Sequence, residues 1–265
     1  MRRAGDWRDL LETVVAVARE RRLTVLAAGL AYHAFNSLIP AALLVFLGVS
    51  LSQRFETLAY AVATVTGVDA ARLTDVLRAL TENPAGQFRA AVVAALVFVW
   101  SAGQLLRAMR RAFAALYGDD VRRSSSVLDT LAAVGLAFGT IAVAILLVGV
   151  LGVSLAYVFT GWRWAVVSTF LLFCSLLAVF VPIFAILPRA DVGVREALPG
   201  TIFAAASWTL SGVLFRLYAA TAESVRLYGF VGGVLLFLTW LYAAGLFLLL
   251  GATLNAVVAD RVTTG

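Results

Sequence analysis

The 265-residue chain is 62% hydrophobic and only 14% charged, whereas a soluble domain is roughly 45–50% apolar, so a fold that hides its apolar surface in its own core is excluded. All 21 basic residues are arginines, and the formal charge of +6 flanks apolar runs, which points to anionic lipid headgroups and away from nucleic acid. The single cysteine, Cys174, rules out an intramolecular disulfide and reads as a small packing residue.

The pattern predicts an all-α, polytopic helical membrane protein. One membrane domain covers residues 1–265, with six transmembrane helices and short amphipathic interfacial helices. Residues 6–22 form an interfacial helix that Asp6 caps, with Trp7, Leu10, Leu11, Val14 and Ala18 on one side. Tryptophan prefers the bilayer interface, so this helix is expected at the headgroups. The apolar run beginning at Val25 is too long for a signal peptide, and the segment is expected to be retained.

The first span covers about 25–51. Residues 52–89 come next as an extracytoplasmic amphipathic segment. In it Phe55, Leu58, Val62 and Val65 mark one helix, and Leu73, Val76, Leu77 and Leu80 a second that stops at Asn83-Pro84. The remaining spans are 90–117, 127–160, 164–187, 197–218 and 227–259. Each run has about the 20 apolar residues that cross a bilayer, and each is continuous rather than alternating, which excludes a β-barrel. With six spans, fourteen arginines fall on the side of the termini and seven on the other. The positive-inside rule then places both termini in the cytoplasm.

The first span carries Gly29, Tyr32, His33, Asn36 and Pro40 on one helical face. Polar groups at membrane depth face a bundle interior or a water-filled path, because lipid offers no hydrogen bonds. The face has two readings, a transport path or headgroup site and interhelical hydrogen-bonding glue with Pro40 at a kink. On the second span Ser101 and Gln104 lie one turn apart, suited to the same interior. Arg107, Arg110 and Arg111 continue at i, i+3, i+4 as a basic stripe. That stripe either grips lipid phosphates or snorkels to fix topology. The fifth span opens with Pro199-Gly200, which suits a first helical turn, and its outer end pairs Arg216 with Glu223. Gly251 and Asn255 end the sixth, where small residues let helices approach closely. His33 is the only histidine, so no histidine-rich metal site exists. Phosphate-binding loops, dinucleotide fingerprints, zinc-protease motifs and nucleophile elbows are absent. No cofactor is expected, and no carboxylate cluster suggests a nuclease.

Leu30-Ala31-Tyr32 through Ser37 and Pro40, Trp100-Ser101-x-Gly103, Ala197-Leu198-Pro199-Gly200 with Trp208, Tyr228-Gly229, Trp240-Leu241-Tyr242 and Gly251-Ala252-x-Leu254-Asn255 occur in that order. In these residues the chain resembles the YihY/BrkB family of membrane proteins, sometimes labelled ribonuclease BN-like, over about residues 15–258. His33 departs from the second aromatic that often comes after the Tyr in that family. The resemblance implies a six-helix inner-membrane protein linked to the cell envelope, and no catalytic residue carries over. The expectation is therefore a non-enzymatic plasma-membrane protein that moves or positions a lipid or other amphiphile. Its candidate contacts are Tyr32, His33, Asn36, Ser101, Gln104, Arg107, Arg110, Arg111 and Asn255. Its partners are membrane lipids, with a scaffold for an envelope complex, bound to an unidentified membrane protein, as the alternative; no nucleic acid is expected.

Overall fold

A computed structural model describes residues 7–51, 84–117, 161–188, 192–221 and 223–262. The third expected span, 127–160, and the two amphipathic helices expected before Pro84 lie outside the described residues. Six helices are described: α1 (Trp7–Glu20), α2 (Leu23–Leu51), α3 (Pro84–Tyr117), α4 (Gly161–Ile186), α5 (Val194–Thr221) and α6 (Glu223–Val258). Five of these, α2 to α6, are long and apolar enough to cross a membrane.

Local chemistry accounts for the helix ends. Pro84, expected to stop a helix, opens α3 instead, because the first turn needs no N–H from that residue and its fixed φ suits a helix start. Pro199 shows the reverse. It was expected at a first turn but sits inside α5, which begins at Val194, so it removes a donor from the helix ladder. Asp260 ends α6 in the left-handed region at φ 55. There the Arg261 N–H donates to the Ala256 carbonyl and the Asp260 N–H to that of Val257, a Schellman-type cap with aspartate where glycine is usual.

The chain divides into two compact units, one of Met1–Tyr32 with Leu106–Gly265 and one of His33–Leu105. In the first, α5 packs along α6, α4 against α5 and α1 against α6. Its core is aromatic. Phe113 lies 5.7 Å from Phe184, Phe180 lies 5.2 Å from Trp208, and Trp208 lies 5.7 Å from Trp240 between ring centroids. The Trp208 indole also donates to the Ala244 carbonyl at 2.8 Å, tying α5 to α6. The start of α2 joins this unit through Ala27 and Leu30, which lie close against Gly245.

α1 presents two apolar faces rather than the one the sequence suggested. Val14 and Val17 are buried, while Trp7, Leu11 and Val15 are exposed one turn apart, the arrangement of a helix seated both on a bundle and in an interface. In the second unit, Pro40, Ala94 and Ala102 are buried and Val93, Leu96 and Trp100 are exposed. Exposed apolar side chains on a spanning helix meet lipid instead of water.

Candidate functional site

The best-defined polar constellation lies where α5 and α6 meet, around Asn255. Gly200 and Gly251 bring the two backbones into close approach. A Cβ on Gly200 would collide with the Gly251 carbonyl oxygen, and one on Gly251 would lie 2.6 Å from that of Gly200. Asn255 is fully buried in this seam. Its Oδ1 accepts from the Gly200 N–H at 2.6 Å, and its Nδ2 donates to the Ala197 carbonyl at 3.0 Å. Both partners flank Pro199, so the side chain of α6 supplies hydrogen bonds to the stretch of α5 that proline interrupts. Tyr117 is buried beside this clamp, close to Glu196 and Arg261. Arg261, brought round by the left-handed cap, pairs with Glu196 through Nε–Oε1 at 2.6 Å and Nη2–Oε2 at 3.0 Å.

The other candidates from the sequence take different positions. Arg107 and Arg111 are exposed on α3 and Arg110 is half-buried. Arg111 Nε donates back to the Arg107 carbonyl at 3.2 Å, which holds the two guanidinium stems along one face. Ser101 is buried, but its hydroxyl donates to the Phe98 carbonyl of its own helix at 3.0 Å. Gln104 is half-buried one turn on. On α2, Tyr32 is 61% exposed, while His33 and Asn36 are half-buried. The expected polar face of α2 is thus graded, open at Gly29 and Tyr32 and closed at Pro40. Cys174, read as a packing residue, is exposed on α4. The Arg216–Glu223 pairing falls on side chains outside the described ones.

A second feature of the α5–α6 pair had no counterpart among the sequence expectations. Farther along the helices lies an open cleft of about 360 Å³, lined by Ser207, Ser211, Phe215, Thr239, Trp240 and Ala243 among others. Its one sequence signal is Ser207 and Ser211 at i, i+4, which places two hydroxyls on one helix face. Among the described residues, no group of three or more His, Cys, Asp or Glu is placed to hold a metal ion.

A family model described as "Virulence factor BrkB" matches residues 14–265. Over shorter segments the chain is 33% identical, across 87 residues, to a Bacillus subtilis protein named ribonuclease-like YfkH, covering 32% of each chain. It is 32% identical over 93 residues to a UPF0761 membrane protein of Aggregatibacter aphrophilus, covering 35% of this chain and 34% of that one. It is 38% identical over 82 residues to a UPF0761 membrane protein of Mannheimia succiniciproducens, covering 31% and 29%. The matched segments thus span about a third of each of these relatives. No solved structure matches the chain.

Proposed function

The chain belongs to the virulence factor BrkB family, and from that footing we propose a non-enzymatic plasma-membrane protein that moves or positions a lipid or other amphiphile in envelope maintenance. In this reading it has six spans, the third over 127–160, and both termini lie in the cytoplasm, on the arginine-rich side. The ribonuclease-like name of the Bacillus relative is not extended to this chain, whose sequence offers no nuclease-type carboxylate cluster.

The observation that supports the reading is the pair of exposed cations on α3. Among the described residues, neither Arg107 nor Arg111 has a carboxylate partner. The 34 residues of α3 extend about 51 Å at 1.5 Å per residue, well beyond a hydrocarbon core about 30 Å thick. The turn from Arg107 to Arg111 therefore falls near the headgroup layer, where a lipid phosphate is the available counter-ion.

The test is transbilayer movement of headgroup-labelled phospholipid in liposomes that hold the purified protein. Movement should fall severalfold when Arg107 and Arg111 are both changed to Gln, and Asn36→Leu asks whether the polar face of α2 lies on the path. Undiminished movement in the arginine variant would sink the role given to the stripe. A folded, inserted wild-type protein that moves no lipid would turn the reading to a scaffold that docks a membrane partner.

A further inference from the structure

Two serines at the cleft between α5 and α6 differ from the serines and threonines of the described spans whose hydroxyls bond to their own helix. Six buried or half-buried Ser and Thr hydroxyls donate to a carbonyl of their own helix: Ser37 to Ala34, Ser101 to Phe98, Ser175 to Leu172, Thr201 to Ala197, Thr209 to Ala205 and Thr253 to Leu249. Among the described residues, Ser207 and Ser211 form no such bond and their hydroxyls have no other partner. On the facing helix the Thr239 hydroxyl donates to the Leu235 carbonyl of its own helix, and the Trp240 ring forms part of the cleft wall. Two hydroxyls on one face of α5 are thus left without a partner among the described residues beside one cleft, at a depth where a missing hydrogen bond is costly.

Depth narrows the choice of occupant. Trp240 is nine residues into the apolar stretch that begins at Val231, about 14 Å along the helix and so near the middle of a hydrocarbon layer roughly 30 Å thick. Apart from Thr239 and Tyr218 the rest of the lining is apolar, and the cleft volume of about 360 Å³ lies in the size range of small-molecule sites. A fitting ligand carries a hydrocarbon chain next to groups that accept hydrogen bonds.

We propose that this cleft binds a phospholipid, its acyl chain along the apolar wall and the Trp240 ring, and an ester carbonyl received by the Ser207 and Ser211 hydroxyls. A phospholipid at rest keeps its esters at the interface, so a receiving site at mid-depth suits one drawn out of its leaflet. The proposal rests on the lipid-moving function proposed for the chain and gives it a location.

The experiment uses full-length protein in phospholipid vesicles doped with a phosphatidylcholine that carries a photoreactive diazirine beside its ester, with labelled peptides mapped by mass spectrometry. Label is expected in the peptides containing Ser207–Phe215 and Leu236–Phe247. It should fall about tenfold, equivalent to ~1.4 kcal/mol of affinity, in the combined Ser207→Ala and Ser211→Ala variant. Ala243→Trp, which fills the cleft and leaves both serines in place, should give the same loss. Equal labelling on the exposed face of α4, unchanged by either variant, would overturn the proposal. So would a disulfide forming between cysteine at Ser211 and cysteines introduced along 127–160, which would mean that the chain itself covers the cleft. If wild-type vesicles move no lipid while cleft labelling persists, the lipid-moving function fails and the binding site stands. If movement persists without cleft-specific label, the site fails alone.

Discussion

Replacing Asn255 with leucine tests whether the buried amide holds α5 and α6 together. Leucine has nearly the same shape and makes neither hydrogen bond. The two bonds lost are not equivalent. The Ala197 carbonyl keeps a partner, because the Thr201 hydroxyl also donates to it at 2.7 Å. The Gly200 N–H loses the acceptor at 2.6 Å, next to a proline that has already interrupted the ladder. A buried donor left unsatisfied costs about 1–3 kcal/mol, while interhelical hydrogen bonds within membranes are worth roughly 0.6 kcal/mol each, up to about 1.7. The expected loss is therefore about 1.5–3 kcal/mol, weighted to the Gly200 side. Reversible unfolding in mixed micelles titrated with an anionic detergent measures it, with fluorescence from Trp208 and Trp240 reporting on the same helix pair. A loss below about 0.5 kcal/mol would refute the reasoning and mean that Asn255 is merely accommodated in the seam.

Gly200→Ala should cost about 3 kcal/mol or more, since its Cβ meets the Gly251 carbonyl, whereas Gly212→Ala, with nothing within 4 Å, should stay within about 1 kcal/mol of wild type; the same titration separates them. Asp260→Gly should stabilise the protein by about 0.5–1 kcal/mol, because glycine adopts the left-handed cap without strain, and a fall in stability would mean that the aspartate side chain has a role of its own. Arg261→Gln removes the ion pair with Glu196, whose side chains are 31% and 22% exposed. The loss should be no more than about 1 kcal/mol and should shrink as salt is raised. Trp208→Phe keeps the ring contacts and removes the bond to the Ala244 carbonyl, at about 1 kcal/mol.

The spanning helices were readable from the sequence because hydropathy over 20 residues is a bulk property that needs no knowledge of neighbours. Their ends were less so. Pro84 and Pro199 each permit two local outcomes, and the residues beyond them or across from them decide which one occurs. Pro84 leads into a helical run, and Pro199 sits inside α5 where Asn255, 55 residues from Gly200 in the chain, bonds to the Gly200 N–H and the Ala197 carbonyl on either side of it. The candidate polar residues divide on the same principle. Asn255 was marked by its residue type in an apolar run, and it is buried. Ser101 was marked in the same way, yet its own helix satisfies it. No single-sequence pattern separates a serine that bonds to its own backbone from one that does not, so Ser207 and Ser211 stand out only once their helix lies beside Trp240. The Glu196–Arg261 pair was hidden for a different reason: it depends on the left-handed cap at Asp260, which reverses the chain just beyond α6.

The α5–α6 pair thus has two ends built on opposite rules. Near Gly200, Ala204, Gly251 and Ala252, small side chains let the backbones touch, and little tolerates enlargement there. Beyond the Trp208–Ala244 tie the facing residues become large, and Phe215 and Phe237 each pack on Trp240 beside an open cleft. Close packing at one end fixes the register and crossing of the helices, so the other end holds an open cleft without the pair coming apart. The two ends should respond differently to change. Substitutions at Gly200 or Asn255 should appear first as lost stability, whereas Ser211→Ala, which breaks no hydrogen bond among the described residues, should leave unfolding unchanged and show its effect only in lipid labelling. A Ser211→Ala protein that unfolded as easily as Asn255→Leu would mean that the serine is part of the packing, and the division between a structural end and a binding end would not hold.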